Sequence, residues 1–514
     1  MSNYVPPEVT IAEEAAPPQI SPIIASPSDV LLVGPTQGYQ TRQETVTLTT
    51  PGTQIPLPFL ASLNANVASS AKLISVVSVT NYLKPTPEEY KLTTDYTVNT
   101  STNSIGIAAS GSSIPNNTLV LVTYKWIPSS YFFPQRFTDI GSISQMYGPA
   151  FDTTGSKINS PLTFAASLAL SNGSGSVILQ PLFKNESDPP GPTTPKLQPT
   201  AEQIAEQITW SDSLSLAKGL VENVDVVVPI IGQSMEGVTD SVQFQIYQST
   251  QAFLQQFNQE QVYSLAIFGD DSSASTERGQ MAKIRENATT LKGSYGGKLN
   301  QQMVYLNTSN FQVALPNPSG TAARYLSVGG QYMAAAIAGA IASRPVSASM
   351  TRKGVGGFTA VLDQRSLADK NIDGGLGLFV VEQIGGNIRC RHAITLDTSS
   401  AARNEVSVVR AKFNMISSIR ETLENQIIGQ IIADAHSPFV VRSAIVGVLS
   451  ALQSAGSILD YSAVKAEISA INPTTIRASF SYRPAFTLNY IEIVFSLNLS
   501  AQTVEVETGN TSTL

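Results

Sequence analysis

Residues 474–500, TTIRASFSYRPAFTLNYIEIVFSLNLS, constrain the fold more than any other stretch. Ile476, Ala478, Phe480 and Tyr482 alternate with Arg477, Ser479, Ser481 and Arg483, the period of a half-buried strand. Pro484 has no N–H to give and splits the run into two strands. Phe486, Leu488 and Tyr490 begin the second strand on one face. Ile491, Ile493, Phe495, Leu497 and Leu499 follow on the other, a one-residue slip that marks a bulge or a change of packing partner. So long an apolar strand needs a sheet to join. Either it completes its own domain, or strands at the two chain ends are shared between neighbouring subunits.

Composition bears on that choice. Only 13% of the 514 residues are charged, about half the usual share. A chain so poor in charge has the composition of one that covers its outside with copies of itself, although a β-rich secreted protein shares it. Its length implies roughly two to four domains. The net charge of −7, with no run of Lys or Arg, argues against nucleic acid as a partner. Cys390 is the single cysteine, so no intrachain disulfide framework exists. The first residues, MSNYVPPEVTIAEE, lack the basic and apolar regions of a signal peptide. Met333–Ala342 is about half the length of a bilayer span, so no membrane insertion is expected.

In chain order, residues 1–28 hold six prolines and no Lys or Arg. They read as an extended arm whose Val5, Val9 and Ile11 enter a sheet only if another element accepts them. Asp29–Gly38 is a buried central strand ending in a Gly-Pro turn. From 41 to 127 the chain is rich in Thr, Val, Ser and Asn, with five strand candidates. It reads as an inserted all-β outer domain. Helices are expected at 138–147 and 162–170, the latter capped by Ser160, opened by Pro161 and stopped at Asn172–Gly173. Strands at 224–231 and 262–268 flank a helix at 242–257, a β-α-β unit. A polar helix follows at 276–291. Further on come the small-residue helix 331–342, a hairpin through Gly385–Gly386, and a long helix over 402–433. Its apolar stripe is Val409, Phe413, Ile416, Ile419, Leu423, Ile427 and Ile431. Helices at 441–452 and 462–471 lead into the opening strands. Residues 501–514 are a polar C-terminal arm in which Val504 and Val506 suit a strand. The fold class is α/β (α+β): a discontinuous core, 29–40 plus 128–500, with subdomains 128–320 and 321–500, the insertion, and extended terminal arms.

The chemistry of an enzyme is missing. There is no phosphate-binding GxxxxGK[ST] and no strand-linked GxGxxG, and Gly354–Gly357 and Gly374–Gly377 read as turns. His392, beside Cys390 on one strand, reads as a satisfied core imidazole, and the pair supplies only half a zinc site. Asp270–Asp271 follow a strand where α/β enzymes place acidic ligands, yet read best as a solvated loop. No catalytic, metal or cofactor site is expected.

The order of the features is the most specific signal. The stretches YVPPEV and VLLVGPTQG, then FTDIGSISQMYG and SNGSGSVILQPLF, then NPSGTAARYLSVGGQYMAAAIAGAIASRPV and QRSLADKNIDGGLGLFVVEQIGGNIRCRHAITLD, together resemble contractile tail sheath proteins of myophages. The resemblance covers about 1–40 and 128–500, and departs from the family at Cys390, Arg391 and His392. It implies a non-enzymatic subunit that forms stacked hexameric rings, a helical polymer around a tail tube protein. Baseplate and tail terminator proteins are its other partners. It places the protein in the virion tail, assembled in the host cytoplasm. It also implies that arms from both chain ends join a neighbour's sheet. The arm residues are then Val5, Val9 and Ile11, with Phe486, Leu488, Ile491, Ile493, Phe495, Val504 and Val506. Arg477 and Arg483 are the expected docking charges for the acidic arm. A non-contractile virion or surface-layer protein that swaps arms is the alternative. A hydrolase or transferase using Asp270 is the third reading.

Overall fold

The structure is a computed structural model that describes residues 29–37, 39–66, 71–83, 88–152, 154–185, 196–197, 199–221, 224–231, 240–259, 262–271, 277–316, 324–431, 434–471, 474–486, 494–498 and 503–507. The fold is mixed α/β with several sheets. Two compact units divide the chain: 27–410 with 487–514, and 1–26 with 411–486.

The larger unit is built on β1 (Val30–Gly34), buried at every residue, as a continuous apolar run in a sheet covered on both faces must be. Next come β2 (Gln40–Leu48), β3 (Gln54–Pro56), α1 (Pro58–Asn66), β4 (Lys72–Asn81), β5 (Tyr96–Asn99), β6 (Ser104–Ile107) and β7 (Thr118–Ile127). These strands form two antiparallel sheets, ordered β2-β7-β4 and β3-β6-β5. Val46, Leu48, Leu73, Ile105, Val120 and Val122 belong to one core between them. Helix α1 departs from the all-β expectation for 41–127. Pro58 opens it, and the Glu44 carboxylate on β2 accepts the backbone N–H of Phe59 at 3.1 Å. That cap comes from a distant strand, so local sequence does not announce it.

The next elements are β8 (Gln135–Phe137), α2 (Ile140–Tyr147), α3 (Pro161–Ser171), β9 (Val177–Pro181), and the short β10 (Lys184–Asn185) and β11 (Lys196–Leu197). Then follow α4 (Ala201–Ile204), α5 (Gln207–Leu220), β12 (Val226–Pro229), α6 (Asp240–Gln259), β13 (Leu265–Phe268), α7 (Glu277–Gly293) and β14 (Met303–Tyr305). Six strands join in the order β14-β13-β12-β1-β9-β8. β1 is parallel to both β12 and β9, pairing Val30 with Val226 and with Val177. Only β8 runs antiparallel. Trp210 and Leu214 of α5, Tyr247 and Phe257 of α6, and Ile284 of α7 pack with Leu31 and Phe268 in one core. The crossovers make a doubly wound sheet. Helix α3 follows its sequence signals closely. Ser160 caps it, Pro161 opens it, and Gly173, at φ 102°, takes the left-handed turn that ends it.

Past β14 lie β15 (Asn310–Leu315), β16 (Arg324–Gly329), α8 (Gly330–Ala342), β17 (Ala360–Val361), α9 (Leu367–Gly375), β18 (Val380–Ile384), β19 (Asn387–His392) and α10 (Ala401–Asn404). Helix α8 is buried along its whole length. The β18–β19 hairpin turns on Gly385 and Gly386, both at positive φ, the geometry of a two-residue hairpin loop. The single helix expected over 402–433 is divided. Glu405 makes a β-bridge to Ile394 after α10, and α11 (Val406–Gln426) stops well before Ala433. Arg410, expected off the buried stripe, is itself only 5% exposed.

In the smaller unit, the later turns of α11 are followed by α12 (Ser437–Ser454), β20 (Ile458–Ile468) and β21 (Ile476–Pro484). Met415, Ile445, Val448, Leu449, Leu452 and Ile458 form its core. Helix α12 is long and apolar enough by composition to cross a membrane. Its stripe Val441, Ala444, Ile445, Val448, Leu449 and Leu452 is buried against the rest of the unit. The helix expected at 462–471 is instead strand β20. Ile458, Tyr461, Val464 and Ile468 are spaced by three and four, which imitates a helix. Register shifts between Ile458 and Asp460 and between Ser462 and Lys465 return them to one face. Ala463 sits in the second shift at φ 54°. The last elements, β22 (Val494–Asn498) and β23 (Thr503–Glu507), pair antiparallel with each other.

Candidate assembly surface

Strands β20 and β21 form a two-stranded antiparallel sheet. Tyr461, Val464, Ala466, Ile476, Phe480 and Tyr482 on one face pack against the α12 core. Burial pushes the Tyr482 hydroxyl above its ordinary pKa. On the other face Arg477, Ser479, Ser481 and Arg483 are exposed. The register sets Arg477 opposite Glu467 and Arg483 opposite Asp460, so both arginines have a cross-strand countercharge. Among the described residues no third strand pairs with either edge. A lone two-stranded sheet is marginal in water, and its edges offer unpaired N–H and C=O groups to another strand. Large apolar side chains are exposed in the same unit: Phe439 at 62%, Leu459 at 51%, Ile471 at 87% and Phe486 at 51%. An extended peptide adding to this sheet would satisfy the edge and cover apolar surface together.

The expected arm residues fall in three groups. Val5, Val9, Ile11, Leu488, Ile491 and Ile493 lie outside the described residues. Phe486 is exposed two residues past β21. Phe495 pairs in register with Val506, and Leu497 with Val504, in the β22–β23 hairpin. Arg477 and Arg483 share one exposed face, as their spacing predicts. The feature that sequence reading missed is β20, the partner that turns β21 into a sheet.

The candidate chemical residues resolve differently. Cys390 is fully buried, and burial pushes its thiol up to about 12. His392 is not a core imidazole: its side chain is 30% exposed and its Nε2 lies 3.5 Å from the Glu405 carboxylate. Asp270, expected in a solvated loop, is buried. It accepts hydrogen bonds from the hydroxyls of Tyr247 at 3.0 Å and Tyr305 at 2.5 Å. Among the described residues no three His, Cys, Asp or Glu side chains gather as metal ligands.

No family model matches the sequence. The tail sheath protein of Mycobacterium phage Bxz1 is 26% identical over 390 residues, which are 75% of this chain and 60% of that protein. The chain is similar in sequence to a tail sheath protein. It spans about 60% of the length of this sheath relative. A chain in the six-fold symmetrised cryo-EM structure of the anti-feeding prophage baseplate superposes with a TM-score of 0.52 at 13% identity. That superposition covers 97% of this chain and all of the other, a likeness of fold alone. A chain of the contracted sheath complex of an extracellular contractile injection system superposes less closely, with a TM-score of 0.48 at 12% identity over 71% of this chain and 87% of that one. The likeness of fold to the baseplate chain therefore extends past the 390 residues aligned in sequence to nearly the whole chain.

Proposed function

We propose that the chain is the structural subunit of a contractile phage tail sheath, residing in the virion tail after assembly in the host cytoplasm. It polymerises as stacked hexameric rings around a tail tube protein, bounded by baseplate and terminator proteins, and contracts to drive the tube through the host envelope. It does so without catalysis or cofactor. The observation that carries this reading is the two-stranded β20–β21 sheet, which no third strand joins among the described residues, with its exposed apolar flanks, in a chain similar to a tail sheath protein.

Strands from the ends of neighbouring copies complete that sheet. Val5, Val9 and Ile11 come from one end, and the apolar residues from Phe486 through Phe495, with Val504 and Val506, from the other. Arg477 and Arg483 flank the docking edge. About four apolar side chains per strand, at roughly 1.5–3 kcal/mol each, make a link on the order of 10 kcal/mol before ordering costs. Pro17, Pro18, Pro22 and Pro27 keep the spacer non-helical, so bodies rotate while strands stay docked. Contraction then draws on a difference in body-to-body contacts between two states. Residues 41–127 face outward in the polymer, and removing them leaves ring stacking intact.

Negative-stain microscopy of the purified chain tests this reading. Hollow cylinders of fixed width that shorten on triggering support it. Flat arrays, closed shells or monodisperse small particles contradict it.

A further inference from the structure

The larger unit carries a concentration of positive charge that the fold does not neutralise. Glu382, on β18, has a carboxylate only 3% exposed. Four cations converge on it: Arg389 at 3.1 Å, Lys370 at 3.3 Å, Arg352 at 3.6 Å and Arg391 at 3.8 Å. Burial alone would raise the Glu382 carboxyl. The hydrogen bonds and charges of Arg389 and Lys370 outweigh it and hold the group below the ordinary carboxylate range. Four positive charges less one negative leave a surplus of three.

Three of the four cations, Arg352, Lys370 and Arg391, line a hollow of about 350 Å³. Arg352 and Thr351 come from the turn before β17, Lys370 and Asn371 from α9, and Arg391 and His392 from β19; among the described residues no acidic one lines it. Arg391 is braced by a hydrogen bond to Asn371 Oδ1 at 2.9 Å, and Arg352 is 61% exposed. Like charges crowded on one concave wall repel unless an anion enters. The arginines of the β20–β21 sheet are each matched in register by a carboxylate of their own; here Arg389 stands opposite Glu382 in register, and Lys370, Arg352 and Arg391 share that one carboxylate with it.

We infer that this hollow is a receptor for carboxylates, filled in the polymer by an acidic segment of a second copy of this chain. The second copy rests on the sheath reading, under which the nearest surface is another molecule of net charge −7. Guanidinium groups suit carboxylates because their planar donors match both oxygens.

The test uses the full chain and a fluorescently labelled tetraglutamate peptide, followed by anisotropy at low salt. The combined variant Lys370→Gln/Arg391→Gln should weaken peptide binding at least tenfold. Arg352→Asn, a milder change on an exposed side chain, should weaken it about threefold. Lys283→Gln, the same charge change on α7, should match the wild type. In parallel, the protein concentration at which polymers appear should rise about tenfold in the combined variant. Three results would overturn the inference. One is equal peptide binding by Arg352→Asn, the combined variant and the wild type. Another is inorganic phosphate competing as well as the peptide does, which would mark a plain anion site. The third is unchanged polymer onset in a folded combined variant that has lost the peptide. Absence of any polymer from the wild type would contradict the sheath reading instead, a result separate from the peptide measurements.

Discussion

Gly339 on α8 lies directly against the backbone of Ala169 on α3: a Cβ placed on Gly339 would come 2.7 Å from the Ala169 Cα, closer than real Cβ atoms approach. The two helices meet backbone to backbone on one face of the central sheet, beside β1. The neighbour is main chain, so nothing flexible can move aside. Gly339→Ala should destabilise the fold by about 1–3 kcal/mol, and Gly339→Val by more, read as a lowered urea midpoint. An unchanged midpoint would mean that α3 and α8 are further apart than described.

Asp225 precedes β12 and accepts the backbone N–H of Asp29 at 3.0 Å. Burial lifts its carboxyl to about 7, against the opposing pull of that hydrogen bond and of Arg410. A carboxyl raised in the folded state binds a proton that the unfolded chain has lost, so stability falls as pH rises from about 4 to about 7. Asp225→Asn should remove that slope and stabilise the protein at pH 8 by on the order of 2 kcal/mol. Chemical denaturation at pH 5 and pH 8 reads the difference. A variant less stable than wild type at pH 8 would contradict it.

Ala463 sits in the β20 register shift at φ 54°, a conformation that glycine adopts freely. Ala463→Gly should therefore stabilise the protein by about 0.5–1 kcal/mol, while Ala463→Val should cost more than that. Thermal melts of the two variants decide it, and a loss of stability in the glycine variant would argue against the shift.

Cys390 is buried, with a thiol held far from its thiolate by burial. A thiol reagent at pH 8 should label it at the rate of unfolding, and labelling should speed up only in denaturant. Rapid labelling of the native chain would contradict the packing of β19.

What was legible in the sequence was whatever its own neighbourhood decides. Ser160, Pro161 and Gly173 mark the ends of α3 locally, and the structure keeps them. The five buried residues of β1 read as a central strand because a sheet covered on both faces demands an unbroken apolar run. What failed was settled at a distance. Helix α1 is capped by Glu44 from another strand. The segment 462–471, expected as a helix, belongs largely to strand β20, whose alternation two register shifts hide. Asp270 looked solvated because Tyr247 and Tyr305, which bury and bond it, come from α6 and β14. The same limit applied to the assembly surface: Arg477 and Arg483 were visible, and the carboxylates opposite them were not.

Electron microscopy of the full chain beside a form lacking residues 1–28 and 501–514 addresses the central claim most directly. The full chain is predicted to build cylinders that shorten, and the truncated form to remain as separate folded particles. Cylinders able to shorten from the truncated form would contradict the account.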